Sequence, residues 1–255
     1  MEYINNPSEL SYKNEVPFVV WCYWEGAPMN ANRLLSFEYL QKNIQVPICL
    51  ITRDNLAAFI KPEHPLHEAF PYLSVVHRSD YIRAYLMHFY GGAWHDIKAT
   101  EVSFSNCWNE FDNPDIYLIG RPENENGAAK VYDDDNRYMP DYWKDLVAVP
   151  AWIARGNTAM TTEIYTAFIK LLDNNLELLK KYPARHPREK YIAPKNSLHA
   201  IFIRLKHLYS GRNPNYPLPW TVFGNIFHPI VYKYRKNISY NLPVNKIKNA
   251  GVYHR

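Results

Sequence analysis

Cysteine is scarce in this chain. The three present, Cys22, Cys49 and Cys107, are odd in number, widely spaced and without metal-ligand spacing. They read as buried free thiols in a reducing compartment. Long apolar runs are missing too: the longest are strand-sized, short of the roughly 20 residues that cross a bilayer. The opening, Met1 to Pro7, is polar and lacks the apolar run of a signal peptide. The expectation is therefore a cytoplasmic protein, at most peripheral to a membrane. Charge of one sign is in small excess only, with 29 Lys and Arg against 25 Asp and Glu, a net +4. That excess suits an anionic nucleotide but is too weak, and lacks the dense basic stripe, to argue nucleic acid. Internal repeats and low-complexity tracts are also absent.

Aromatics are abundant instead. The 255 residues include 21 Tyr and 7 Trp, and 47% are apolar, which suits one globular domain with a sizeable core. Most of these rings are expected in the core and its rim; some are free to stack on nucleobases and on the apolar faces of sugars. The run from Pro17 to Trp24 reads as a first buried strand. Residues 31–43 read as a helix with Leu34, Leu35, Tyr39 and Leu40 inward, and Val46 to Ile51 as a second strand. Asn55 to Ile60 reads as a short helix and Leu73 to Val76 as another strand. This alternation argues an α/β fold with a mostly parallel, Rossmann-like sheet flanked by helices.

The stretch from Ser79 to Lys98 is the most informative. Ser79 is a good helix N-cap, and Ile82, Tyr85, Leu86 and Phe89 recur on one face behind it. Asp80 and Arg83 sit three apart and can work as a pair. Gly91-Gly92 supplies the freedom of φ that ends a helix. Ala93-Trp94 leads into His95-Asp96-Ile97-Lys98, where an extended backbone points Asp96 and Lys98 to the same side. The pattern brings three charged side chains to one edge of a sheet.

In order and spacing this block resembles the core of sugar transferases of the glycosyltransferase A fold that carry an Asp-x-Asp motif. The match is nearest to the capsular polysaccharide synthesis and mannosyltransferase-like proteins, and the clostridial glucosylating toxins share the block. In those families Ser-Asp-x-x-Arg opens the helix, Gly-Gly follows, and Asp-x-Asp ends the strand. The resemblance implies a single glycosyltransferase domain over 1–255, with a nucleotide-sugar half at about 16–100. An acceptor-side half with a C-terminal closing segment follows at about 101–255. It implies a UDP- or GDP-sugar donor, a saccharide acceptor, and Asp80, Arg83 and Asp96 as the catalytic set. It also implies that Ser79 belongs to the donor site and that Trp21, Tyr23 and Trp24, at the aromatic end of the first strand, are candidates to stack on the base. At least one of the three is expected as core, because alternation sends neighbours to opposite faces. A C-terminal His such as His254 or His228 would close over the diphosphate, and Trp152 and Arg155 would line the pocket. The first Asp of the motif is implied to touch ribose and donor sugar, the second to hold a divalent Mn or Mg ion. Here the second position is Lys98. An ammonium supplies part of the positive charge that a departing diphosphate needs. Three readings stay open: Lys98 replaces the ion, the site has decayed, or Asp96 holds the ion with acids from elsewhere.

Other segments add less. Asp133-Asp134-Asp135 reads as a solvated loop, because three consecutive acids cannot converge on one ion. A strand region at Val147 to Ala154 precedes a helix at about 158–181, with Ile164, Phe168, Leu172, Leu176 and Leu179 inward. A basic loop, 182–196, precedes a helix capped by Ser197 that carries Leu198, Ile201, Phe202, Leu205 and Leu208. That helix is expected to pack on the domain, although its basic flanks also suit a membrane surface. Glu123 and Asp141 are candidate general bases without a motif behind them. Four functions compete: a glycosyltransferase, a catalytically weakened nucleotide-sugar- or glycan-binding relative, a nucleic-acid module, and a metal-dependent hydrolase using Asp96 with His95. The first accounts for the block, the aromatic strand and the basic C-terminus together.

Overall fold

A computed structural model describes residues 3–133, 135–245 and 247. A short hairpin comes first, β1 (Tyr12–Lys13) paired antiparallel with β2 (Val16–Pro17). Asn14 and Glu15 turn it with φ of 50° and 64°. The core elements follow: β3 (Val20–Tyr23), α1 (Ala31–Asn43), β4 (Ile48–Ile51), α2 (Val75–Phe89) and β5 (Gly91–His95). Then come β6 (Leu118–Ile119), β7 (Ala151–Arg155), α3 (Ala159–Lys181), α4 (Ser197–Tyr209), α5 (Val222–Lys233) and β8 (Ile238–Ser239).

Six strands form one sheet in the order β4-β3-β5-β7-β6-β8. The β3–β4, β3–β5 and β6–β8 pairs are parallel, while β7 runs antiparallel to both β5 and β6. The sheet is therefore mixed but mostly parallel, flanked by helices, as the alternation of elements predicts. Strand alternation sorts the core into two layers. Trp21, Cys49, Ile51, Trp94 and Trp152 belong to the side covered by α2, α3 and α5. Val20, Cys22, Ile48, Ala93 and Ile153 belong to the other, with Leu40 of α1 and the segment from Phe104 to Phe111. The three cysteines are free and buried, as expected.

The glycine pair ends α2 and starts β5 with φ of +81° at Gly91 and +88° at Gly92. A Cβ on Gly91 would lie 2.6 Å from the Gly156 nitrogen and 2.7 Å from the Ala154 oxygen, so the close approach of β7 requires glycine.

Several elements differ from the sequence reading. α2 begins at Val75, not after Ser79, and the expected strand Leu73 to Val76 is its approach and first turn. Ser74 is the N-cap, accepting from the His77 N–H, and the His77 ring is held by the Tyr216 hydroxyl and the Pro219 carbonyl. A four-residue apolar run does not distinguish strand from buried helix, and this tertiary anchor decides it. α1 turns Leu34, Leu35 and Tyr39 to solvent and buries Ser36 and Leu40, so it rests on the sheet by a narrower stripe. α3 is as predicted: Ile164, Phe168, Leu172 and Leu179 are buried, and Leu176 packs against the core. α4 is reversed. Leu198, Ile201, Phe202 and Leu205 are exposed, while Ile203 and His207 face inward. The Leu208 side chain lies outside the described residues.

Candidate functional site

β3, β4 and β5 run parallel, so Tyr23, Ile51 and His95 end at one edge, and the loops after them diverge and leave a crevice. A cavity of about 250 Å³ opens there. Tyr23 and Trp24 line it from the end of β3. Ser79, Asp80 and Arg83 line it from one face of α2. Trp94, Asp96, Ile97 and Lys98 line it from the end of β5. The block read from sequence therefore converges, with Ser79 as a wall residue one turn inside the helix.

Arg83 ties the site together. It is 6% exposed, and its Nη2 lies 3.1 Å from Asp96 Oδ1 and 3.9 Å from Asp80 Oδ1. Its Nη1 donates to the Val149 carbonyl at 3.2 Å. The guanidinium carbon sits 4.7 Å from both the Trp94 and the Phe223 ring centroids, a sandwich that fixes the plane of the fork. Asp96 Oδ1 also accepts from Trp94 Nε1 at 3.0 Å, and Asp96 Oδ2 lies 3.7 Å from Lys98 Nζ.

The two carboxyls titrate in opposite directions. Burial pushes Asp96 up, but Arg83, Lys98 and the Trp94 N–H outweigh it and hold the group below the usual carboxylate range. Burial pushes Asp80 up to about 7; Arg83 and the Phe223 N–H in the first turn of α5 oppose this, and the Asp96 charge adds to it. Two acids in one cavity, one ionised and one near half-protonated at neutral pH, are chemically inequivalent. Among the described residues no three His, Cys, Asp or Glu side chains gather as a metal-holding set.

The aromatic wall is held from behind. The Tyr23 hydroxyl donates to Glu25 Oε2 at 2.6 Å, and Glu25 Oε1 pairs with Arg53 and Arg78, each at 2.6 Å. Burial pushes Glu25 up, yet the Tyr23 hydroxyl and the two arginines bring it below the ordinary range. It therefore stays charged and fixes the Tyr23 ring.

Three cavity residues escape the sequence reading. Arg33, in the first turn of α1, donates to the Ile97 carbonyl at 2.8 Å and lies 5.3 Å from the Trp24 ring. Arg188 and Trp220 close the far wall, the guanidinium 5.2 Å from the indole. The basic character of residues 182–196 was visible, but what delivers Arg188 is a backbone bond from the Val76 N–H to Pro187, across 111 residues. No local pattern marks it.

Other candidates fall elsewhere. Trp21 is core, not a stacking platform: its Nε1 donates to the Gly91 carbonyl at 2.7 Å and its ring packs on Phe59 and Tyr90. Alternation sends Tyr23 to the same face of β3, but only at the strand end is that face open. Trp152 is buried against Phe227, and Arg155 sits at the opposite end of the sheet, paired with Gly91 and bonded to the Phe111 carbonyl. The His95 ring bonds to the Asp96 backbone carbonyl rather than to its carboxylate and packs on Phe104, and burial lowers it to about 4, which removes the side-chain His95–Asp96 pair of the hydrolase reading. His228 is fully buried, bonded to the Ala129 N–H and the Val147 carbonyl, with Glu123 at 3.7 Å. Neither Glu123 nor Asp141 lines the cavity. Asp133 closes its own turn, accepting from the Asp135 and Arg137 N–H groups; Asp134 lies outside the described residues. His254 also lies outside them.

A family model for capsular polysaccharide synthesis proteins matches residues 2–144, more than half of the chain. The chain belongs to that family. The matched span carries Tyr23, Asp80, Arg83, Asp96 and Lys98, whereas Arg188 and Trp220 come from beyond it. No curated protein matches the chain. Membership places the protein in a family of polysaccharide synthesis, and the mixed α/β sheet with its cavity at the strand ends agrees with a Rossmann-like fold.

Proposed function

We propose that this chain is a glycosyltransferase that moves a sugar from a nucleoside-diphosphate sugar to a saccharide acceptor in polysaccharide synthesis. One observation carries the reading: Arg33, Arg83, Lys98 and Arg188 share a cavity with Asp80, Asp96 and the rings of Tyr23, Trp24, Trp94 and Trp220. Four cations against two acids, one of them near half-neutral, suit a diphosphate, and flat rings suit a base and a sugar.

In this reading the base stacks on Tyr23 or Trp24, whose positions Glu25 and Arg33 hold. Asp96 faces the ribose and donor sugar, and Arg83, pinned between two rings, orients Asp96. The acceptor hydroxyl oxygen bonds to the anomeric carbon while the bond from that carbon to the diphosphate oxygen breaks. The leaving nucleoside diphosphate takes the electron pair, and the hydroxyl proton passes to a base or to solvent. Negative charge grows on the diphosphate in the transition state, and preplaced cations stabilise it there more than in the ground state. Lys98 supplies part of this charge at the position where the family's second Asp holds an ion, and metal dependence is correspondingly reduced.

The test begins with thermal shift against UDP, GDP and their sugars, followed by turnover of the nucleotide sugar that binds. Asp96→Ala is expected to keep the fold and nucleotide binding and to lose turnover by about a thousandfold. Full activity in that variant would sink the site. Binding without turnover in the wild type would favour the glycan- or nucleotide-sugar-binding relative, for which Lys98 in place of Asp is the supporting observation.

A further inference from the structure

α4 presents its apolar stripe to solvent. At 100° per residue Leu198, Ile201, Phe202, Leu205 and Tyr209 fall within an arc of about 100°. All five are exposed, Leu198 at 79% and Tyr209 at 95%. Ile203 and His207, on the opposite side, are buried and anchor the helix. Arg204 and Lys206 flank the stripe on its two sides and are exposed, and Lys195 stands exposed just before the helix. The charge around it is one-sided: no Asp or Glu occurs anywhere after Glu189, and Glu189 itself is fully buried. No described helix is long and apolar enough to cross a membrane.

We propose that α4 docks the protein on an anionic lipid surface. Its stripe enters the acyl boundary, with Arg204, Lys206 and Lys195 on the headgroup phosphates. A helix with a strong apolar stripe and basic flanks has the composition that lies in the plane of a bilayer. The cations beside the stripe keep their charge at headgroup level while their stems cover apolar surface. A second copy of this chain is the poorer occupant. A symmetric pair would bring like charges together along both flanks. The stripe also offers an area on the order of a few hundred Å², below the roughly 800 Å² per partner of a stable interface.

The experiment is co-sedimentation of the full chain with vesicles of phosphatidylcholine alone and of phosphatidylcholine mixed with phosphatidylglycerol. The expected result is pelleting with the mixed vesicles, weakening as salt rises, and little with the neutral ones. Ile201→Glu with Phe202→Glu should lower vesicle affinity by about tenfold or more. Nucleoside-diphosphate binding and the melting curve should not change. Leu198→Glu, in the first turn, is the second variant should the pair disturb folding. No pelleting by the wild type, or equal pelleting by the variants, overturns the proposal. A dimer that the same substitutions dissolve, with no vesicle binding, assigns the face to a second copy and overturns it too.

Discussion

Gly91 is fixed by its surroundings. Its φ of +81° and the backbone atoms of Gly156 and Ala154 under 3 Å from an added Cβ leave no room for a side chain. Gly91→Ala should lower stability by roughly 2–4 kcal/mol, combining the left-handed penalty with a clash that backbone cannot relieve. Urea unfolding would measure it, and a loss under about 1 kcal/mol would show that β7 gives way. Asp80 is unusual in a different sense. Its folded carboxyl titrates near 7 against an ordinary 3.8. Between those values the folded protein keeps a proton that the unfolded chain has lost, so stability falls as pH rises from about 4 to about 7 and stays low above. Asp80→Asn removes that dependence. The variant should melt higher than the wild type at pH 8, by an amount on the order of 2–4 kcal/mol, with the gap closing towards pH 5. Parallel melting profiles across that range would refute the shift. Asp80, Arg83, Asp96 and Lys98 were legible because an ordered local block brings them together. Trp21 was misread because its chemistry is identical to that of Trp24, and it is the fold, with Nε1 on the Gly91 carbonyl and the ring on Phe59 and Tyr90, that sets it in the core.

At the scale of elements, β3, β4, β7 and α3 followed from apolar runs and periodicity, whereas α2's start, α1's face and α4's face did not. The first depends on partners remote in sequence. Tyr216 and Pro219 fix the start of α2, and α1 buries little beyond Ser36 and Leu40. Periodicity finds a stripe on a helix but not what covers it, and for α4 no described residue does. In the loop after β5, Lys98 Nζ lies 3.7 Å from Asp96 Oδ2. A like charge about 4 Å from a divalent ion, at an effective dielectric of about 20, costs on the order of several kcal/mol. Wild-type turnover is therefore expected to survive a chelator, and Lys98→Asp to make it depend on added manganese or magnesium. Complete loss of wild-type turnover in chelator, restored by the ion, would mean that Lys98 swings aside and Asp96 recruits the metal.

At the scale of the molecule, the sheet order interleaves the two halves of the chain. β5 and β6, both within residues 2–144, are not neighbours; β7, from beyond that span, lies between them and pairs with each. β8, near residue 238, then closes the sheet against β6. The α2 face is likewise covered by α3 and α5, and Phe223 of α5 completes the sandwich around Arg83. The family-matched segment therefore carries most of the chemistry but not a closed core. A chain ended at residue 144 leaves one side of β5 unpaired, and both Trp94 and the apolar face of α2 lose their cover. Such a sheet edge, with a large apolar surface beside it, aggregates. The truncated chain is expected to lack a cooperative thermal transition and to bind no nucleoside diphosphate. The full chain is expected to unfold in one step, with far-ultraviolet circular dichroism and tryptophan fluorescence changing together. A soluble 1–144 fragment melting cooperatively on its own would show instead that the two halves are separable, and that Arg188 and Trp220 were added to a site complete without them.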